Sequence, residues 1–116
     1  MKVKDVIKKL GLKLVAGEKG IDKEIKDAYC GDLLSNVMGN ASRGSLWITI
    51  QTHPNIVAVA VLKEMVGIII SNNYMVEQGT KTKADEEDIP ILITDMTSFQ
   101  IAGKLYELGI GKDEDI

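Results

Sequence analysis

The stretch from Ser45 to Asn72, SLWITIQTHPNIVAVAVLKEMVGIIISN, decides the fold that we predict for this chain. Residues 46–50 form a short apolar and β-branched run, which is typical of a strand buried on both faces. A polar turn follows, then a segment of helix length over 56–65. Residues 66–70 form a second buried strand. The stretch therefore predicts a βαβ unit, whose crossover should be right-handed.

The turn inside this unit carries the only histidine of the chain. Pro54 fixes φ and has no amide hydrogen, so it suits the first position of the helix, with Thr52 or His53 at or beside the N-cap. A lone histidine could also act as a general base or as a pH-sensitive contact. A catalytic role needs named partners, however, and we interpret His53 as structural.

The rest of the chain alternates strands and helices. Before the central stretch, we predict a helix over Val3–Leu10 ended by Gly11, strands over 12–16 and 25–30, and a helix over 33–38 capped by Asp32. After it, we predict an exposed marginal helix within 74–88, a strand over 89–94 and a helix from Thr97 or Ser98 to Gly109. The strand over 25–30 alternates apolar and polar residues, which places it nearer a sheet edge. Buried strands that alternate with helices predict an α/β fold with a mostly parallel sheet of about five strands.

Composition narrows the class of protein. The 116 residues favour one domain, and the net charge of −3 without a basic cluster argues against a nucleic-acid partner. No apolar run reaches the roughly 20 residues that span a bilayer. The single cysteine, Cys30, excludes an internal disulfide, and we expect it to be a small buried hydrophobe. Because the N-terminus also lacks the apolar segment of a signal peptide, we expect a cytoplasmic protein.

Polar residues follow each predicted parallel strand. Ligands of open parallel sheets bind outside the carboxyl ends of the strands, where helix N-termini also offer amides to an anion. The candidate ligand-binding residues are Asp32, Gln51, Thr52, His53, Asn55, Ser71, Asn72, Thr94, Asp95 and Thr97. The alternative is that they serve only as helix caps and turns, which need the same residue types.

No catalytic constellation can be recognised. The chain has no GxxxxGK[ST], GxGxxG, GxSxG or HExxH motif. We expect no metal site, no cofactor and no enzymatic activity. A remote alternative is a phosphatase in which Asp32 and Asp95 hold Mg²⁺, while the simpler interpretation is that both aspartates are caps.

The central helix is apolar on all sides over 56–62. Such a helix is normally buried all round, although a helix that flanks a sheet should have one wet face. We therefore expect a homodimer whose interface includes Trp47, Ile56, Val57, Ala58 and Val61. The alternative is that other helices of the same chain cover the outer face.

Four segments resemble small stand-alone DRTGG-domain proteins. They are 31–39 (GDLLSNVMG), 47–50 (WITI), 55–60 (NIVAVA), and Ala84 followed by 89–95 (IPILITD). The resemblance covers nearly the whole chain and implies a single DRTGG-like domain over 1–116. The literal DRTGG string is absent, so any role tied to those letters does not carry over.

The resemblance implies a three-layer α/β/α sandwich like the N-terminal domain of HPr kinase/phosphorylase, without its kinase domain. It further implies a non-catalytic regulatory module that dimerises and senses an adenine nucleotide or another small anion. An alternative is a structural partner in a larger hydrogenase-associated redox complex or a signalling complex. No catalytic residue carries over from this resemblance.

Overall fold

The structure is a computed structural model that describes residues 1–112. The sequence also predicts a short, mostly acidic tail over 111–116, which lies largely outside these residues. In chain order, the elements are α1 (Val3–Leu10), β1 (Lys13–Ala16), a 3₁₀ turn (Glu18–Gly20), β2 (Asp27–Cys30), α2 (Leu34–Asn40), β3 (Ser45–Thr49), α3 (Asn55–Leu62), β4 (Gly67–Ile70), α4 (Gln78–Glu87), β5 (Ile91–Ile93) and α5 (Ser98–Glu107).

The five strands form one sheet in the order β1-β5-β4-β3-β2. The pairs β2–β3, β3–β4 and β4–β5 are parallel, whereas β1 pairs antiparallel with β5. The prediction of an α/β fold with a mostly parallel five-stranded sheet is confirmed. The prediction that the strand over 25–30 lies near an edge is also confirmed, because β2 is an edge strand.

Both central strands are buried along their whole length, as their apolar runs predict. Successive side chains of β3 alternate between two core clusters. Trp47 packs into the cluster that includes α2, α3 and α4, while Leu46 and Ile48 pack into the cluster that includes α1 and α5. The alternation arises because successive side chains of a strand point to opposite faces of the sheet.

Several predicted helix boundaries differ from the observed ones, among them the ends of α3 and α2. Helix α3 ends at Leu62 rather than at 65, because Glu64 adopts the left-handed conformation with φ of 53° and the Met65 amide turns back to the Ala60 carbonyl at 2.8 Å. Helix α2 continues to Asn40, two residues beyond the predicted end. In contrast, α1 has the predicted bounds, with Gly11 left-handed at its end.

The predicted buried face of α5 is wrong in part. In the sequence, Phe99, Leu105 and Tyr106 follow helical spacing, which predicts one apolar face, but Phe99 is 89% exposed and Tyr106 is 56% exposed. The buried side chains of this helix are Ile101 and Leu105. Helix α5 carries apolar residues on more than one face, so helical spacing alone does not select the face that packs.

We predict that Gly17→Ala destabilises the fold far more than Gly11→Ala does. Both glycines have positive φ, 73° and 63°, so both variants carry the roughly 1–2 kcal/mol cost of a left-handed Cβ. At Gly17 the new Cβ would also collide with the Ile89 carbonyl oxygen, whereas nothing lies within 4 Å at Gly11. That collision should add about 1–3 kcal/mol. Urea unfolding of both variants measures the difference, and equal losses would contradict the close approach at Gly17.

Candidate functional site

The four parallel strands bring their following segments to one side of the sheet, as predicted. We call this side the carboxyl edge and define it as residues 31–33, 50–55, 71–75 and 94–99. The register of the parallel pairs places the ends of β2, β3, β4 and β5 side by side. All ten candidate ligand-binding residues lie on these four segments.

Asp32 does not cap α2, contrary to the prediction. The N-cap position is occupied by Leu33, which makes no side-chain capping bond. Instead, Asp32 Oδ1 accepts hydrogen bonds from Thr49 Oγ1 and from the Ile50 amide, both at 2.9 Å. Gln51 Nε2 donates to the Asp32 carbonyl at 3.0 Å. The carboxylate therefore joins the ends of β2 and β3.

The segment before α3 forms hydrogen bonds that hold α3 and α4 in place. His53 Nδ1 accepts the Asn55 amide at 3.1 Å, so the imidazole satisfies the first amide of the helix. Pro54 is the N-cap itself, rather than the first helical residue that follows an N-cap at Thr52 or His53 as predicted. The Thr52 carbonyl accepts from Thr80 Oγ1 at 2.7 Å, which attaches α4 to this edge. These contacts agree with the structural interpretation of His53.

A second set of hydrogen bonds ties the end of β4 to the segment after β5. Ser71 Oγ lies 2.7 Å from Ser98 Oγ, and the Asn72 and Asn73 amides donate to the Met96 and Thr94 carbonyls, each at 2.8 Å. Both asparagines are left-handed, with φ of 60° and 54°. Each such residue costs on the order of 1 kcal/mol or more, and strain of this kind concentrates at functional sites.

The N-terminus of α5 differs from that of α3. Thr97 forms a capping box with Gln100, which confirms Thr97 as the N-cap. Within residues 1–112, the first two helical amides, those of Ser98 and Phe99, have no hydrogen-bond partner. Two amides aimed outward from a helix N-terminus attract negative charge.

The exposed apolar side chains at this edge did not follow from sequence periodicity. Their exposed fractions range from 38% to 89%, for Leu33, Ile50, Tyr74, Met75 and Phe99. Exposed apolar groups that gather at one place often mark a site of binding. We call these five residues the apolar rim.

The edge offers little to a metal ion. Asp95 is exposed and forms no side-chain hydrogen bond or ion pair within the described residues, while one oxygen of Asp32 already accepts two hydrogen bonds. Over residues 1–112, no group of three or more His, Cys, Asp or Glu side chains could hold a metal. The aspartates give the edge negative charge, so an anion here would depend on the amides of α5.

Cys30 is not the buried hydrophobe that the sequence predicts, because it lies exposed at the end of edge strand β2. Burial of part of the side chain raises the pKa of the thiol, and the nearby Asp32 carboxylate raises it further. A raised pKa keeps the thiol protonated near neutral pH, which makes it a poor nucleophile.

The residues expected at a dimer interface divide into two groups. Trp47, Ile56 and Val57 have no exposed surface, and Trp47 Nε1 donates to the Gly31 carbonyl at 2.8 Å. They belong to the core of the chain itself, so they cannot supply a contact surface. Ala58 and Val61 are exposed, together with Leu62, which is 68% exposed and was not among the expected residues. Over residues 1–112, the outer face of α3 is therefore apolar and uncovered.

The fold is shared with a regulatory region of known structure. The chain is similar to the CBS and DRTGG domains of the regulatory region of Clostridium perfringens pyrophosphatase, solved in complex with the activator diadenosine tetraphosphate. The TM-score is 0.69 and the identity is 13% over 99% of this chain, and the match covers 52% of that chain. This chain thus spans about half the length of its structural neighbour. No family model and no curated protein matches the sequence.

Among residues 1–112, none of the helices has both the length and the apolar character that crossing a membrane requires.

We predict that Asp32→Ala lowers the free energy of unfolding by about 2 kcal/mol, because it leaves the buried Thr49 hydroxyl without its acceptor. Asp95→Ala is the matched control, since the exposed Asp95 side chain has no partner in the described residues, and its effect should stay within about 0.5 kcal/mol. Urea unfolding of both variants measures these values. Equal effects would show that Asp32 is not a structural carboxylate.

Proposed function

We propose that the protein is a non-catalytic regulatory module that binds an adenine nucleotide or another small anion at its carboxyl edge. The observation that carries the proposal is the pair of unpartnered amides of Ser98 and Phe99 beside the polar ends of β4 and β5. A phosphate group matches the charge and the donors of such a helix start. The nucleotide activator of the structural neighbour supports the choice of ligand class.

The surroundings of these amides suit the rest of a nucleotide. Phe99 and Tyr74 expose aromatic rings on the two segments that the Asn73–Thr94 hydrogen bond holds together. Stacking of a base on an aromatic ring contributes about 1–3 kcal/mol. Thr97, Asn72 and Asp95 lie on the same segments and could hydrogen-bond a ribose or a base edge.

We predict that Phe99→Glu binds AMP and diadenosine tetraphosphate at least about tenfold more weakly than Phe99→Gln does, because a carboxylate at this position repels phosphate. Glutamate in the first turn of a helix is favourable, so the fold should be retained. Isothermal titration calorimetry measures both affinities, and comparison of Phe99→Gln with the unmodified protein isolates the contribution of the ring. Equal affinities of the Glu and Gln variants would rule out an anion at this helix start.

We also propose a homodimer, formed through the outer face of α3. The support is the exposed apolar group Ala58, Val61 and Leu62, which no other part of the described chain covers. The residues Trp47, Ile56 and Val57 would then support this face from within rather than contact the second copy.

We predict that Leu62→Lys converts the dimer to a monomer in sedimentation equilibrium. Lysine is favourable near the end of a helix, so the substitution should not unfold α3. Leu33→Lys is the control, because Leu33 is equally exposed, at 69%, but lies at the carboxyl edge. A dimer that survives Leu62→Lys and dissociates with Leu33→Lys would place the interface at the apolar rim instead.

The proposal also includes a finer classification of the fold and of the family resemblance. A three-layer α/β/α sandwich is supported by the two core clusters, which take alternate side chains of β3. The likeness to the N-terminal domain of HPr kinase/phosphorylase rests on the sequence resemblance. The phosphatase alternative gains no support, because Asp32 Oδ1 already accepts hydrogen bonds from Thr49 and Ile50.

A second candidate function is a structural partner in a larger redox or signalling complex. The apolar rim favours it, because exposed apolar side chains that lie near one another are also typical of protein interfaces. A stable partner recovered with the unmodified protein and lost on Met75→Lys, without any retained small molecule, would favour this function over ligand sensing.

A further inference from the structure

A cavity lies at the opposite side of the sheet from the carboxyl edge. It has a volume of about 480 Å³ and is open to solvent. Its walls come from the segments that precede β2, β3, β4 and β5, together with the last turns of α3 and α4. We call it the amino-edge groove. Its volume lies within the range of small-molecule sites, roughly 300–1,000 Å³.

The floor of the groove is apolar and held in place by the backbone. It is formed by Ala60, Val61, Met65, Val66 and Ile89. The Met65 amide donates to the Ala60 carbonyl at 2.8 Å and the Val66 amide to the Ser45 carbonyl at 2.9 Å. These bonds fix the segment between α3 and β4, so the floor is formed before any ligand arrives.

Six charged side chains line the groove, and four of them have partners. Lys23 Nζ donates to the Asp88 carbonyl at 2.8 Å, Arg43 pairs with Glu64 at 3.0 Å, and Glu24 pairs with the terminal amino group of Met1 at 2.9 Å. Within residues 1–112, Lys26 and Glu87 form no side-chain hydrogen bond or ion pair. As far as the described part of the chain shows, the groove therefore presents one free cation and one free anion above an apolar floor.

The position of Lys26 is specified by Gly44. A Cβ at Gly44 would lie 2.9–3.1 Å from the Lys26 side-chain carbons, and the φ of 81° also favours glycine there. The aliphatic stem of Lys26 thus lies across this glycine at the wall of the groove. Glu87 is the last residue of α4, where the negative end of the helix adds to its carboxylate and attracts a cation.

We propose that the amino-edge groove binds a small zwitterion with an apolar body, such as an apolar amino acid or dipeptide. The carboxylate of the ligand contacts Lys26, its ammonium group contacts Glu87, and its apolar side chain lies on the floor at Met65 and Ile89. This site is independent of the nucleotide site proposed at the carboxyl edge, because the two lie at opposite ends of the strands.

The test compares three ligands that share one apolar body. Phenylalanine carries both charges, hydrocinnamate lacks the ammonium group and phenethylamine lacks the carboxylate. Titrations are followed by NMR of methyl-labelled protein at Met65, Val66 and Ile89, which lie outside the proposed dimer face. We expect the affinity for phenylalanine, measured from the shifts of these methyl signals, to be at least about tenfold higher than the affinity for either half-ligand. Each charged hydrogen bond contributes on this scale.

Two variants assign the charges. Lys26→Met keeps the aliphatic stem over Gly44. It should lower the affinity for phenylalanine about tenfold and leave the affinity for phenethylamine unchanged. Glu87→Gln should lower the affinity for phenylalanine by a similar factor and leave the affinity for hydrocinnamate unchanged. Lys9→Met is the control, because Lys9 is an exposed residue of α1 that does not line the groove, and the phenylalanine affinity of this variant should equal that of the unmodified protein.

Three results would overturn the proposal. One is the absence of methyl shifts with phenylalanine, and another is equal binding of the three ligands, which would show an apolar surface without charge recognition. The third is a shift of the same methyl signals by AMP but not by phenylalanine, which would place the nucleotide in this groove.

Discussion

The burial of β3 and β4 on both faces is the constraint on which the rest of the structure depends. Parallel strands cannot be joined by a tight turn, so each must be followed by a crossover, here a helix packed on the sheet. The carboxyl ends of four strands then necessarily share one edge, and their amino ends share the other. Both candidate sites follow from this topology, with helix N-termini at the carboxyl edge and the last turns of α3 and α4 at the amino-edge groove.

The fold was largely predictable because its strongest signals are local. The apolar runs of β3 and β4 are typical of strands buried on both faces. Gly11 ends α1 and Thr97 starts α5 by well-defined capping interactions. The errors lie where a tertiary contact decides between equivalent local patterns. Ile101 and Phe99 offer α5 different apolar faces, and only the packing of the sheet selects Ile101.

The candidate site was predictable in place but not in detail. The rule for parallel sheets located the ten polar residues at one edge, but it could not show which of them the fold itself uses. Asp32 provides the clearest case, because an aspartate before a helix normally caps it, whereas here Thr49 and Ile50 compete successfully for its carboxylate. The amino-edge groove could not be found from the sequence at all, since Lys26 and Glu87 lie far apart in the chain and only the topology brings them to one cavity.

Native mass spectrometry of the unmodified protein with AMP, ATP and diadenosine tetraphosphate tests the central claim most directly, because it reports oligomeric state and retained ligand together. A regulatory module of the proposed kind should appear as a dimer that retains a nucleotide in a fixed ratio to the chain. A monomer that stays free of ligand across the whole panel would contradict both the proposed dimer and the proposed nucleotide site.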